Sequence, residues 1–375
     1  MRPALIAAAA CAGVAAALLP SPSCMLNDQP CPVPSPWSVD WSLVNSSALM
    51  PANERQGATN NISFWPAHRW GLASLDWSTG RGTWLNVTDR NASTCEATSV
   101  ANCRALKAAG LVHRCGIYNN IELALQWKES NRAAMYDPSK ADWFLQYTTP
   151  DGTKNGTIYN EPRAEGDQYF IDWRNADAAA YFVGAIVNLT LLDGVDLTFT
   201  DDREGIPAEH PKLPATLGLS PADVAAVQFA TQAGGQYLAT ALAANGRTCW
   251  DCLSGTGLGV RPTAATCAGV MRALCEPGMQ GRTMFMSTGG AFTDANQTVA
   301  AFLVTRPPIA FVGDGFPTDA SWSPLFALDV GEPAAGALCV EAPAGVFSRA
   351  WTKGVPSLNC NTWTAELPFA PLPGA

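Results

Sequence analysis

Acidic side chains close two apolar, strand-like runs of this 375-residue chain. The first run, Gln168–Trp173, carries Asp172 and is followed by Arg174 and Asn175; the second, Val195–Thr200, is followed by Asp201, Asp202, Arg203 and Glu204. A helix-length segment separates them, which is the pattern of a βαβ unit. Functional groups collect where the strands of such units end. Carboxylates gathered there can protonate a leaving group, activate water or attack carbon directly.

Strand alternation sorts these acids. If Val195, Leu197 and Phe199 pack on helices, Asp202 points to the barrel axis and Asp201 points away. If Ile171 and Trp173 face outward, Asp172 and Arg174 face inward. The same count turns Asp76 inward after Ala73, Leu75 and Trp77, and Asp314 inward after Val312. Each has a plainer reading. Asp172 and Arg174, two apart on one face, could form an internal ion pair, Asp201 could cap a turn, Asp76 could hold a loop, and Asp314 sits in a Gly-Asp-Gly turn.

The elements that must position these acids alternate strand and helix. Strand-like runs fall at Leu72–Trp77, Leu111–Tyr118, Trp143–Thr148, Gln168–Trp173, Val195–Thr200, Thr283–Ser287 and Ile309–Val312. Trp143–Thr148 is alternatively half of a hairpin, because Thr149-Pro150-Asp151-Gly152 follows it. Helices are expected at Ser99–Ala109, Pro221–Ala244 (Ser220 as N-cap) and Asp294–Val304. A right-handed series of this length closes most naturally as a (β/α)8 TIM-type barrel. The missing strand is expected between residues 246 and 262. The expected organisation is a signal peptide at 1–23, a Pro/Ser-rich arm at 24–60, a barrel at 61–320 with a Cys-rich insertion at 247–280, and a small β-rich extension at 321–375. An open doubly wound sheet is disfavoured, since no glycine-rich phosphate turn follows the first strand.

Export fits the cysteines and sequons. Twelve Cys and seven Asn-x-Ser/Thr sites, at Asn45, Asn61, Asn86, Asn91, Asn155, Asn188 and Asn296, suit a secreted, glycosylated chain. Local spacing pairs Cys24–Cys31, Cys95–Cys103 and Cys339–Cys360, puts two bridges inside 249–275 and leaves Cys115 over. Zinc held by Cys249, Cys252, Cys267 and Cys275 is the lesser alternative, the second spacing being too long. A net charge of −9 argues against a nucleic-acid partner. After the signal no apolar run is long enough for an integral membrane segment. The 13 Trp supply aromatic faces that stack on apolar ring surfaces of sugars.

Several stretches resemble secreted barrel proteins described as glycoside hydrolases. They are Phe64-Trp65-Pro66-Ala67-His68-Arg69-Trp70-Gly71 running into Ser74-Leu75-Asp76-Trp77, Phe170-Ile171-Asp172-Trp173-Arg174-Asn175, the Thr200-Asp201-Asp202 strand end, Phe302–Arg306, and the tail Gly345–Trp351 with Leu358–Thr362. The resemblance spans residues 61–366 and implies a TIM-type barrel and an oligo- or polysaccharide substrate. The reading is a two-carboxylate glycosidase with Asp172 and Asp202 catalytic, and Asp76, Trp77, Glu122, Arg174, Asp201 and Asp314 on the substrate. It needs no metal or cofactor. The alternatives are a non-catalytic carbohydrate-binding or surface protein on the same scaffold, and a metal-dependent phosphoesterase using Asp201, Asp202, Glu204 and His210.

Overall fold

The computed structural model describes residues 25–26, 29–30, 35–49, 69–86, 95–161, 166–203, 205–206, 210–251, 262–281, 283–287, 294–314 and 322–373. Its centre is a curled sheet of seven parallel strands. They are β1 (Ser47–Leu49), β2 (Trp70–Leu75), β3 (Val112–Asn120), β8 (Leu197–Asp201), β9 (Thr248–Asp251), β10 (Met284–Ser287) and β11 (Ala310–Asp314). The strand order is β9-β8-β3-β2-β1-β11-β10, so chain order runs continuously round the curl. The hydrogen-bonded ladder ends at β9 and β10, whose side chains nevertheless meet: the Trp250 ring stacks on Phe285 with centroids 3.8 Å apart. That contact continues an aromatic series lining the inside, from Tyr118 through Phe199, Trp250 and Phe285 to Phe311. Every strand of the sheet contributes to this inner core, Ala48 and Leu72 completing it.

A second apolar layer lies between the sheet and its helices. Leu49, Ala73, Leu75, Cys115, Ile117, Met286 and Val312 pack there with α1 (Cys95–Ala108), α4 (Ala264–Cys275) and α5 (Ala295–Thr305). The long helix α3 (Pro221–Ala244) starts with the expected cap: Ser220 and Asp223 exchange hydrogen bonds and Pro221 takes the first position. It packs with α2 (Ala176–Thr190) over Ile171, Trp173 and Phe182.

The structure departs from these expectations or decides between them in several places. The run Gln168–Trp173 does not enter the parallel sheet. Its strand β7 (Gln168–Phe170) pairs antiparallel with β4 (Leu123–Leu125), so the first acid cluster does not stand on a βαβ unit. Trp143–Thr148 gives a hairpin, β5 (Gln146–Thr148) with β6 (Lys154–Ile158). And β1 lies in the arm expected to be irregular. It has no hydrophobic pattern, yet its neighbours leave room only for backbone: a Cβ on Gly71 would stand 2.2 Å from the Asn45 carbonyl carbon, and one on Gly313 1.9 Å from the Ala48 oxygen. The strand expected between 246 and 262 is β9.

The parity of β8 is the reverse of that expected. Leu197 and Phe199 face the inner core, not the helices, and the opposite face carries the buried Thr198 and Thr200, so the greasier face is not the outer one here.

The cysteines pair at longer range than local spacing suggests. Among the described residues the bridges are Cys103–Cys115, Cys267–Cys360 and Cys275–Cys339. Cys115 is therefore not left over, and Cys95–Cys103 and Cys339–Cys360 do not form. With Cys267 and Cys275 bridged, the four-cysteine zinc set is excluded; Cys24, Cys31 and Cys252 lie outside the described residues. Two of the bridges tie α4 to the tail. That tail is a four-stranded antiparallel sheet, β12 (Val340–Glu341), β13 (Val346–Ser348), β14 (Ser357–Asn359) and β15 (Thr364–Glu366), packed on α5 through Phe347, Leu358 and Trp351. Asn155, Asn188 and Asn296 are exposed as sequons must be, whereas the Asn45 amide donates to Asp40 at 2.7 Å. No described helix is long and apolar enough to cross a membrane.

Candidate functional site

The C-terminal ends of β2, β3 and β8 open into a cleft of about 230 Å³. Trp77, Tyr118, Asn120, Gln168, Asp201, Asp202 and His210 line it, with Leu123 and Leu125. The middle strand β3 does most of the positioning. The Tyr118 hydroxyl donates to Asp201 Oδ2 at 2.8 Å, and Asn120 Nδ2 donates to Asp202 Oδ2 at 2.6 Å. Asn120 Oδ1 accepts from the backbone of Glu122 and Leu123, which fixes the turn into β4. Burial, and next the charges of Asp201 and Asp202, push the Tyr118 phenol well above its usual value, so it stays a donor.

Asp201 and Asp202 line this cleft together, although alternation sends adjacent residues to opposite faces. Alternation ends at Asp202, whose φ is +55°, a left-handed conformation that Asp tolerates better than most residues. Asp201 is thus a full member of the site and not a support behind it.

Asp76 follows β2 and is 5% exposed. Ser78 Oγ donates to its Oδ2 at 2.8 Å. Burial raises its pKa above the ordinary 3.8, with the Asp201 charge adding to the rise, so Asp76 holds its proton longer than a surface acid. Trp77 is fixed by its neighbours: its carbonyl accepts from Trp127 Nε1 at 2.9 Å, and the Arg81 guanidinium lies 4.4 Å from its ring. Below the cleft the buried Lys128 donates to the Tyr118 carbonyl and to Asn119 Oδ1. Burial brings its pKa down to about 8.

Glu122 and His210 complete the acidic side. Glu122 is 3% exposed, and its Oε2 lies 3.5 Å from His210 Nε2. One side-chain ligand atom each of Glu122, Asp202 and His210 falls within 4.8 Å of the other two. The Phe170 ring packs edge-on to the imidazole, with centroids 4.9 Å apart.

Asp172 lines a different cleft, of about 290 Å³, with Thr148, Gly152, Lys154, Arg174, Asn175, Leu219 and Asp223. The two clefts share no lining residue. Arg174 grips Asp172 with Nε and Nη2 at 2.8 and 2.9 Å, and Lys154 Nζ lies 3.0 Å from Oδ2. Burial alone would raise the Asp172 pKa, but the Arg174 and Lys154 contacts outweigh it and hold the carboxyl below 3.8. Asp172 and Arg174 are therefore the internal ion pair that their spacing allowed, joined by Lys154. Asp314 ends β11 in register with Leu49; its side chain, like Glu204, lies outside what is described.

Of the expected site residues, the structure brings Trp77, Asp201 and Asp202 onto one cleft, puts Asp76 and Glu122 beside them, and places Asp172 and Arg174 elsewhere. Asn120, Tyr118 and Gln168 were missed. Asn119-Asn120 closes a strand just as Asp201-Asp202 does, and the strand-end rule applied to carboxamides as well as acids would have found it.

No family model matches the chain, and no curated protein matches its sequence. Among solved structures it is similar to an α-N-acetylgalactosaminidase of Bifidobacterium bifidum, with 10% identity, a TM-score of 0.42, and coverage of 88% of this chain and 58% of that one. A dextranase of Flavobacterium johnsoniae complexed with glucose gives 11% and 0.41, covering 79% of this chain and 38% of that one. A maltogenic α-amylase of Thermotoga neapolitana gives 10% and 0.40, with 85% and 86% covered. The chain thus spans little more than half of the first of these proteins and well under half of the second.

Proposed function

We propose that the chain is an exported glycoside hydrolase whose curled sheet acts as a TIM-type barrel, with its active centre at the ends of β2, β3 and β8. The observation that carries this is the grouping of acids with unlike surroundings at one mouth. Asp76 is buried and inclined to keep a proton. Asp202 lies on the cleft wall and accepts the Asn120 amide. Carboxyls whose environments differ in this way divide acid and base duties.

Asp202 remains one of the two catalytic carboxyls, and the second moves from Asp172 to Asp76, which takes the part of the general acid. Asp76 protonates the departing glycosidic oxygen. Asp202 meets the positive charge developing at the anomeric carbon, by direct bonding or through an activated water. Asp201, held by Tyr118, adds negative charge beside that carbon. Trp77 offers an aromatic wall to a sugar ring, and Gln168 and Asn120 offer hydrogen bonds to hydroxyls.

The test is a screen of the purified protein against a panel of oligosaccharides and aryl glycosides, repeated with Asp202→Asn and Asp76→Asn. Cleavage of one glycan class, lost in both variants with circular dichroism unchanged, is the expected result. Glycan binding without cleavage by the unaltered protein would mean a carbohydrate-binding scaffold instead.

A further inference from the structure

We propose that Glu122, Asp202 and His210 form a binding site for a divalent cation of the Zn2+ or Mn2+ kind, open on its cleft side. The three come from separate parts of the chain: the β3–β4 turn, the residue after β8, and the segment before the short helix Leu213–Leu217. Their ligand atoms converge within 4.8 Å. The 3.5 Å between His210 Nε2 and Glu122 Oε2 is longer than a good hydrogen bond. It matches the ~3.4 Å expected between two ligand atoms that each stand about 2.1 Å from a tetrahedral ion.

Charge and support point the same way. A doubly charged ion between them would meet the carboxylates of Glu122, 3% exposed, and Asp202 at once. Each cleft-side ligand has a polar neighbour behind it. Asn120 Nδ2 donates to Asp202 at 2.6 Å, and Glu161 Oε2 stands 3.9 Å from His210 Nδ1, the ring nitrogen turned away from Glu122. That separation is too long for a hydrogen bond, so Glu161 neighbours the imidazole without fixing its orientation. One nitrogen and two carboxylates suit Zn2+ or Mn2+ better than Ca2+ or Mg2+, which favour all-oxygen shells. Three protein ligands leave a further position for water or a substrate hydroxyl.

Binding stands on these residues alone. Its consequence rests on the hydrolase reading: an ion at this site takes Asp202 out of the reaction, so loading slows glycan cleavage.

The experiment is calorimetric titration of the chelator-treated full chain with ZnCl2 and, separately, MnCl2. One ion should bind per chain, at least tenfold more weakly in His210→Ala and Glu122→Gln and unchanged in Asp172→Asn. No binding of either ion up to about 1 mM, the weak end of protein cation sites, overturns the proposal. So does binding that survives both variants. Because Glu122 is buried and its variant could misfold, the Co2+-loaded unaltered protein gives a second readout. Visible bands of a mixed nitrogen–oxygen shell support the site, and the spectrum of aqueous Co2+ overturns it. Cation binding without glycan turnover removes the hydrolase reading alone, and turnover without cation binding removes the site alone.

Discussion

The two clefts use aspartate in opposite ways. In one, Asp172 is clamped by Arg174 and Lys154, and its charge is neutralised within the fold. In the other, Asp201 and Asp202 accept from a phenol and a carboxamide, neutral donors that orient a carboxylate without cancelling its charge. The first arrangement holds a loop to the N-terminal end of α3, where Arg174 also lies 3.6 Å from Asp223. The second turns two carboxylates toward a cleft. The difference teaches that the partners of an acid, more than its burial or its place in a motif, tell a brace from a site.

The sharpest way to break this comparison is to remove each charge in turn. Asp202→Asn should lower turnover by roughly 10³-fold, within the range of lost acid–base groups, with little change in stability. Asp172→Asn should do the reverse. Removing one partner of a buried pair costs about 3–5 kcal/mol, and because Arg174 and Lys154 are 28% and 37% exposed, about 2 kcal/mol is expected in urea unfolding, with kcat unchanged. Equal losses of kcat in the two variants would erase the distinction.

Acidity sharpens it next. The folded-state pKa of Asp172 lies below 3.8, so its contribution to stability is present above that pH and fades as pH falls through the folded value. The deficit of Asp172→Asn should therefore shrink in acid. Asp76 has the opposite sign: its pKa is raised, so its contribution is full below 3.8 and is lost as pH rises through the folded value. Asp76→Asn should gain stability relative to the unaltered protein as pH increases, and the unaltered protein's pH–rate profile should fall on its alkaline side as Asp76 loses its proton. Stability curves and rate profiles over the acid range check both.

Smaller effects follow from single contacts. Tyr118→Phe removes the donor to Asp201 and should cost about tenfold in kcat/KM, equivalent to ~1.4 kcal/mol. Lys154→Met removes the more exposed of the two cations on Asp172 and should cost no more than ~1 kcal/mol of stability, with turnover untouched.

What could be read in the sequence follows the same division. Parallel strands with full apolar patterns, β2, β3, β8, β10 and β11, were visible, as were α3 with its Ser220 cap and the β-rich tail. The strand β1 was not, because its place is set by the glycines beside it. The run Gln168–Trp173 looks like a sheet strand because its apolar residues pack on helices, and only its neighbour β4 reveals the antiparallel pairing. At the site, the acids after β2 and β8 were legible as strand ends. The turn at Asp202 was not, since alternation carries no sign of a left-handed residue. His210 lies in a loop whose sequence says nothing of Glu122, and only folding brings the two to 3.5 Å.

The nested bridges Cys275–Cys339 and Cys267–Cys360 also decide how the chain withstands proteases. A single cut anywhere between residues 276 and 338 leaves both pieces covalently joined, so a nicked molecule would run as one band until reduced. Such a molecule would keep its tail sheet docked on α5 after its backbone had been broken.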